Sequence, residues 1–211
     1  MKLALIFAEF GPQRPDVEHF RRYFPDADIQ VHTEATCENI PQFDGPRYGW
    51  RQNDYWKVRK AYEADADVAI AWDSDMRIVS EDVRILPRLA ENFGLCLPMN
   101  PRLMVRTDTM IGADSDGLLD WTLGSGLAVN CTPIALSLKH KGAMACVSFF
   151  LDEMENHPVR GPLAWWRAQL RSGFSPMILP PQWCVCQEHV GCGNEIALHV
   201  GHEKVRRHYK V

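Results

Sequence analysis

Asp73-Ser74-Asp75 places two carboxylates one residue apart, directly after the apolar run Val68-Ala69-Ile70-Ala71-Trp72. Two ionised acids this close repel one another. A hard divalent cation such as Mg²⁺ or Mn²⁺ relieves the repulsion, taking one or two carboxylates from the protein and phosphate oxygens for its remaining positions. The same tripeptide is also read as a plain polar turn after a strand. A second group with chemistry lies near the C-terminus, in Leu198-His199-Val200-Gly201-His202-Glu203-Lys204. A neutral His199 imidazole could complete a metal shell, Gly201 would admit a phosphate close to the backbone, and the Lys204 ammonium could neutralise a departing diphosphate. The bland alternative is an exposed, charged tail.

The surrounding elements determine where these groups sit. Residues 2–8 form a continuous apolar run, as in a strand covered on both faces. Gly11, Pro12 and Pro15 break the chain, and a helix follows over 15–24. Residues 28–32 alternate as a second strand, and helical spacing runs from Trp50 to Tyr62. Val68–Trp72 is the next strand, 81–93 a helix, and 95–97 a short apolar run ended by Pro98. This alternation predicts an α/β fold with a mostly parallel sheet and helices on its faces. Ligands bind such sheets at the carboxyl ends of strands, where Asp73 and Asp75 fall. Beyond 99 the pattern changes to an acidic, loop-rich stretch, with a strand at 126–130. Helices are expected near 132–138, 145–156 and 162–171, and short strands near 176–179, 183–186 and 195–199.

Composition narrows the class. The chain has 211 residues, 46% hydrophobic and 24% charged, as in a folded globular protein. The net charge of −4 gives no general attraction to nucleic acid or anionic membrane. No run approaches a membrane span, and the N-terminal apolar run, closed by Glu9, is too short for a signal peptide. Seven scattered cysteines favour free thiols in a reducing cytoplasm. Cys184-x-Cys186-x-x-His189-x-x-Cys192 offers four soft ligands that fit no common zinc spacing; zinc and buried free thiols are both open readings.

The two motifs together resemble those of GT-A-fold, nucleotide-sugar glycosyltransferases. Asp73-Ser74-Asp75 looks like their metal-binding Asp-x-Asp. His199-x-Gly201-x-x-Lys204 resembles the His-x-Gly-x-x-Lys element of the glycogenin-like retaining branch, and Gly124-Ser125-Gly126-Leu127-Ala128-Val129-Asn130 is similar to its sugar-site strand. Three departures stand out: Val205-Arg206 follows Lys204 in place of Pro-Trp, Gly124 replaces Asn, and no Asn-Asp-Gln-Asp-like segment precedes the tail. The resemblance implies a single GT-A-like domain over 1–211, with a nucleotide-binding half (1–98) and an acceptor-side half carrying the metal-binding tail (99–211). It implies a metal-dependent transferase with Mn²⁺ or Mg²⁺ on Asp73, Asp75 and His199. The donor would be a nucleoside-diphosphate sugar, UDP-sugar by family habit, and the acceptor is open. Phe7 and Glu9 would lie beside the nucleoside, unless Phe7 is plain core. Arg51, Asn53 and Lys57 would reach ribose or phosphate, unless they form a solvated helix face. Asp73 would be shared between metal and ribose, and Gly201 and Lys204 would meet the diphosphate. Asp114, Asp116 and Asp120 are candidate carboxylates near the reacting centre, with Asp116 and Asp120 the catalytic candidates. Trp165 and Trp166 either stack on sugar or pack in the core.

Two other enzyme classes use related patterns. Haloacid-dehalogenase-like phosphatases carry Asp-x-Asp after an apolar strand, with the first Asp, here Asp73, as nucleophile. Their motif continues Gly-Thr near the N-terminus, whereas here Met76-Arg77 follows. A nucleotidyltransferase needs a glycine-rich loop after its first strand, which Glu9-Phe10-Gly11-Pro12 does not supply. A non-catalytic zinc or interaction module built on the tail cysteines is the remaining alternative.

Overall fold

The computed structural model describes residues 1–10, 14–38, 48–100, 129–157 and 159–211. In chain order, β1 (Leu3–Glu9), α1 (Val17–Tyr23), β2 (Asp28–Thr33), α2 (Tyr48–Tyr62), β3 (Val68–Trp72), β4 (Met76–Ile78), α3 (Leu86–Phe93) and β5 (Leu95–Pro98) build the first half. A 3₁₀ turn over Glu81–Ile85 leads into α3. There follow β6 (Ile134–Ser137), α4 (Lys141–Asn156), α5 (Gly161–Ser172), β7 (Met177–Leu179), β8 (Ala197–His199) and α6 (Glu203–Tyr209).

The main sheet runs β2-β1-β3-β6-β5-β7, and a two-stranded ribbon pairs β4 with β8. β1 pairs parallel with β2 and β3, and β5 parallel with β7, whereas β6 runs antiparallel to both neighbours. Alternate residues of the central strands enter different cores, as the two-residue period of a strand requires. Ile6, Ala69, Ala71, Ile134 and Leu136 face a layer of α2, α4 and α5 built on Val58, Phe150 and Trp165. Leu5, Phe7, Ile70, Trp72 and Ala135 face the other layer, with Phe20 of α1, Leu86 and Ala90 of α3, and Trp183. The architecture is thus mixed α/β with helices on both faces of a mostly parallel sheet.

Local sequence explains the element ends. Asp16 caps α1 by accepting from the His19 amide at 3.1 Å, and Arg21 and Arg22 occupy its last turn, where the helix dipole favours cations. Pro162 opens α5, and Gly173, at φ 65°, closes it in the left-handed conformation that glycine adopts without cost.

Two expectations about elements are corrected. Residues 132–138 do not form a helix: Ile134–Ser137 is β6, buried throughout. A strand fits because both faces of this segment are covered, and apolar runs so short carry no period that separates strand from buried helix. Residues 183–186 form no strand pairing beyond one bridge from Val185 to Leu198; a 3₁₀ turn at Pro181–Trp183 precedes it. Trp165 and Trp166 are core residues, Trp165 stacked on Phe150 at 4.1 Å between ring centres. Among the described residues, no helix is long and apolar enough to cross a membrane.

Candidate functional site

β3 ends at Trp72, and the chain turns through Asp73-Ser74-Asp75 into β4, with the Met76 amide bonded to the Asp73 carbonyl at 3.1 Å. Neighbouring elements fix this turn. Thr132 Oγ1 accepts from the Asp73 amide and Glu9 Oε1 from the Ser74 amide, each at 3.0 Å. Asn53 Oδ1 accepts from the Phe10 amide at 3.0 Å, tying α2 to the exit of β1.

The ribbon brings in the C-terminal motif. β4 pairs antiparallel with β8, so that Met76 lies opposite His199, and the Val200 amide donates to the Asp75 carbonyl at 2.9 Å. This register sets His199 Nε2 3.1 Å from Asp75 Oδ1 and 4.0 Å from Asp73 Oδ2. Ligand atoms of Asp73, Asp75 and His199 all lie within 4.8 Å of one another. Gly201 follows directly. A Cβ there would overlap Asp75 Oδ2 and stand 3.1 Å from its Cγ, so only glycine leaves that carboxylate in place. Arg206 of α6 donates to the carbonyls of Val200 and Gly201, at 2.6 and 2.9 Å, and pins the loop from the tail side.

Lys57 controls the charge on the inner side. Its ammonium is 1% exposed, bonded to Asp73 Oδ1 and 3.3 Å from Asp54 Oδ1. Burial works against the ammonium, but Asp73 and Asp54 outweigh it and raise its pKa. Burial pushes the Asp73 carboxyl up, with Lys57 opposing and Asp75 reinforcing. For Asp75 burial acts upward too, but the hydrogen bond from His199 prevails and holds it below the usual range. His199, opposed by burial, is raised well above an ordinary imidazole, chiefly by its bond to Asp75. Three acids, Asp54, Asp73 and Asp75, thus share Lys57 and His199, and the oxygens of Asp73 and Asp75 with the His199 imidazole are a donor set that a divalent ion fits in place of the imidazole proton.

These groups open onto a cavity of about 550 Å³ whose walls include Glu9, Asp73, Asp75, His199, Gly201 and Asn130. Of the residues expected at a ligand, Glu9, Asn53, Asp73, Asp75, His199 and Gly201 line it. Burial raises the Glu9 carboxyl despite its bond from Ser74. Phe7, expected beside a nucleoside, is instead fully buried, its ring edge-on to Phe20 at 4.9 Å. Arg51 is buried and donates to the Val159 and His157 carbonyls, each at 3.2 Å, as a structural tie between α2 and the α4–α5 connection. Lys57, expected at ribose or phosphate, is engaged by the two acids. Lys204 is exposed in the first turn of α6 and is not part of the cavity wall. Asp114, Asp116, Asp120 and residues 124–128 lie outside the described residues.

The cavity also has walls that sequence reasoning did not single out. Trp50 is 57% exposed, with the Arg160 guanidinium 4.9 Å above its ring, and both line the cavity. Its place at the start of the helical period from Trp50 to Tyr62 suggests a core position, and only the fold shows that Trp50 faces the cavity, unlike the buried Tyr55 and Val58. The four-residue soft cluster of the tail is not assembled as spaced. Cys184 and Cys186 instead gather with His199, while Cys192 is exposed.

No protein-family model and no curated protein sequence matches the chain. Its fold is similar to that of a solved structure, mouse xyloside xylosyltransferase 1 in its apo form, with a TM-score of 0.53 and 11% sequence identity over 94% of this chain and 96% of that one. At that identity the likeness is one of fold. The chain therefore has a mixed α/β glycosyltransferase-type fold, with a pair of aspartates and a histidine gathered at the carboxyl end of its central strand.

Proposed function

We propose that this protein is a metal-dependent glycosyltransferase that moves a sugar from a nucleoside-diphosphate sugar, by default a UDP-sugar, to an acceptor. Asp73, Asp75 and His199 would hold Mn²⁺ or Mg²⁺. The observation that carries the reading is the arrival of His199 from the far end of the chain within 3.1 Å of Asp75, on the wall of a cavity of about 550 Å³. That volume falls in the range of small-ligand sites, and the glycosyltransferase-type fold agrees with it. All seven cysteines are free, which supports a reducing, cytoplasmic setting.

In this reading the bound cation would neutralise the diphosphate of the donor as the sugar leaves. The protein's own groups prepare that position. Lys57 holds Asp73 in one rotamer from the inside, and the Glu9 and Thr132 side chains fix the turn that carries both aspartates. Gly201 keeps room beside Asp75, and Lys204, exposed in the first turn of α6 outside the cavity wall, would have to reach in from there to meet the departing diphosphate. Asp116 and Asp120 stay the candidate carboxylates for the acceptor.

Thermal melting with UDP-sugars, with and without Mn²⁺, tests the proposal. Ligand at a hundred times its Kd stabilises by about 2.7 kcal/mol, which for a chain of this size raises the midpoint by about 5–10 °C. The wild type should show a rise that depends on Mn²⁺; Asp75→Ala should melt cooperatively and show none. Undiminished transferase activity in Asp75→Ala refutes the assignment.

A further inference from the structure

His199 presents its two ring nitrogens to two different sets of ligands. Nε2 faces Asp75, and Nδ1 lies 3.8 Å from Cys186 Sγ, on the opposite edge of the ring. The sulfurs of Cys184 and Cys186 are 3.6 Å apart. We propose that Cys184, Cys186 and His199 Nδ1 form a second cation site, selective for a thiophilic ion of the Zn²⁺ class, that shares its histidine with the carboxylate site. The soft site rests on this geometry alone; its competition with the hard one rests on the transferase reading.

The distances fit such an ion. Tetrahedral zinc with Zn–S of about 2.3 Å and Zn–N of about 2.0–2.1 Å separates two sulfurs by about 3.8 Å and sulfur from nitrogen by about 3.6 Å. The 3.6 and 3.8 Å observed are each within about 0.2 Å of those spans. A partner outside the ligand set points the same way. The Asn130 amide nitrogen donates to both sulfurs, at 3.4 and 3.5 Å, while its oxygen accepts from the Cys131 amide at 2.8 Å, which fixes the amide's orientation. A donor aimed at two thiolates is the supporting shell that thiolate–metal sites use. Cys186 and His199 line the cavity, so the fourth position opens toward it, whereas Cys184 anchors the site from the core.

Sharing follows from the imidazole itself. An ion at either nitrogen displaces that nitrogen's proton to solvent, and the neutral ring that remains has one lone pair on nitrogen, taken by the ion, and one N–H. An ion on Nδ1 leaves the proton on Nε2, which then donates to Asp75 and cannot ligate. An ion on Nε2 leaves it on Nδ1, which then donates toward the sulfur of Cys186. Occupancy of either site therefore weakens the other, and a zinc-class ion antagonises the Mn²⁺-dependent reaction. The thiol protons released on binding pass to solvent.

Cd²⁺ titration of the reduced, nucleotide-free full chain tests this. A thiolate-to-cadmium charge-transfer band should grow and saturate at one equivalent. Cys184→Ser should abolish it, and Cys192→Ser, outside the site, should leave it intact. Because Cys184 is buried, X-ray absorption of the Zn²⁺-loaded wild type gives a reading independent of that variant's folding: two sulfur neighbours support the site. Absence of the band, its survival in folded Cys184→Ser, or zinc surrounded only by nitrogen and oxygen overturns it. Saturating Mn²⁺ should shift the Cd²⁺ titration to higher concentration. If Mn²⁺ binds and the titration does not move, the sharing of His199 is overturned. If Mn²⁺ does not bind while the band appears, the soft site stands and the transferase reading fails.

Discussion

Lys57→Met removes a cation that lies between two acids and leaves its methylene volume nearly unchanged. The Lys57 side chain is 1% exposed and that of Asp54 10%. At their separation of 3.3 Å and an effective dielectric of about 20, the attraction between these two charges alone is about 5 kcal/mol. Desolvation offsets much of that in the intact pair. Removing one partner is different, because Asp54 and Asp73 stay behind without their shared counter-charge, and breaking a buried pair in this way costs about 3–5 kcal/mol. For a chain of this size the melting midpoint should fall by about 10 °C. Urea unfolding should show the loss as a lower midpoint at unchanged slope. Lys57→Met/Asp54→Leu should recover only part of it: an apolar pair replaces the Lys57–Asp54 contact, but Asp73 stays without its lysine. Mn²⁺ should raise the midpoint more in Lys57→Met than in the wild type, the cation taking over part of the missing positive charge. Lys57→Met within about 1 kcal/mol of wild type, well below the loss expected of a broken buried pair, would refute the reasoning. It would mean that the acids take up protons or water at little cost, and that Lys57 does not set the charge of the site.

Two further outcomes follow from particular contacts. Gly201→Ala puts a methyl group where Asp75 Oδ2 lies. The carboxylate should rotate away, with a stability loss of about 1–3 kcal/mol and Mn²⁺ affinity reduced about 10–100-fold, as for a disturbed supporting shell; wild-type Mn²⁺ affinity by calorimetry contradicts this. His19 accepts the Ile78 amide on Nε2 at 3.0 Å, and burial, then Arg77, lowers its pKa. The unfolded chain therefore takes up a proton near about pH 6.5, while the folded chain stays neutral to lower pH. Stability should rise with pH through that window and fall below it, and His19→Gln should flatten this part of the urea-derived profile; an unchanged slope contradicts the assignment.

The amount of the site that was legible in the sequence follows from range. Asp73 and Asp75 were legible because an apolar five-residue run and two acids are contiguous. β1, α2 and β3 were legible for the same reason, each being a local pattern of one period. β6 was not, because Ile134-Ala135-Leu136 carries no period, and only the slot between β3 and β5 decides its conformation. Lys57 and Arg51 were recognisable as cations, but not as cations turned inward. Their helix, α2, has polar residues on its buried side, and its partners lie 16 residues away at Asp73 and over a hundred away at Val159. For Phe7 both a place beside the nucleoside and plain core are open readings, because a run apolar on both faces does not say which side a ring takes; the fold sets it in the core against Phe20 of α1.

The carboxylate cluster shows how one pairing can organise a whole site. Asp73 and Asp75 flank Ser74 in a turn that three neighbouring elements hold, so their spacing is fixed before the tail is added. What the tail supplies is set by a three-residue ribbon: Met76 opposite His199 and Ile78 opposite Ala197. A slip of one residue would turn Leu198 toward the acids and His199 toward the opposite face. Leu198 is 1% exposed, in a small core with Val185 and Val205, and exposing that leucine would cost about 1.5–3 kcal/mol. The histidine is therefore held at the acids by the leucine beside it, and the apolar packing of α6 determines where the imidazole sits.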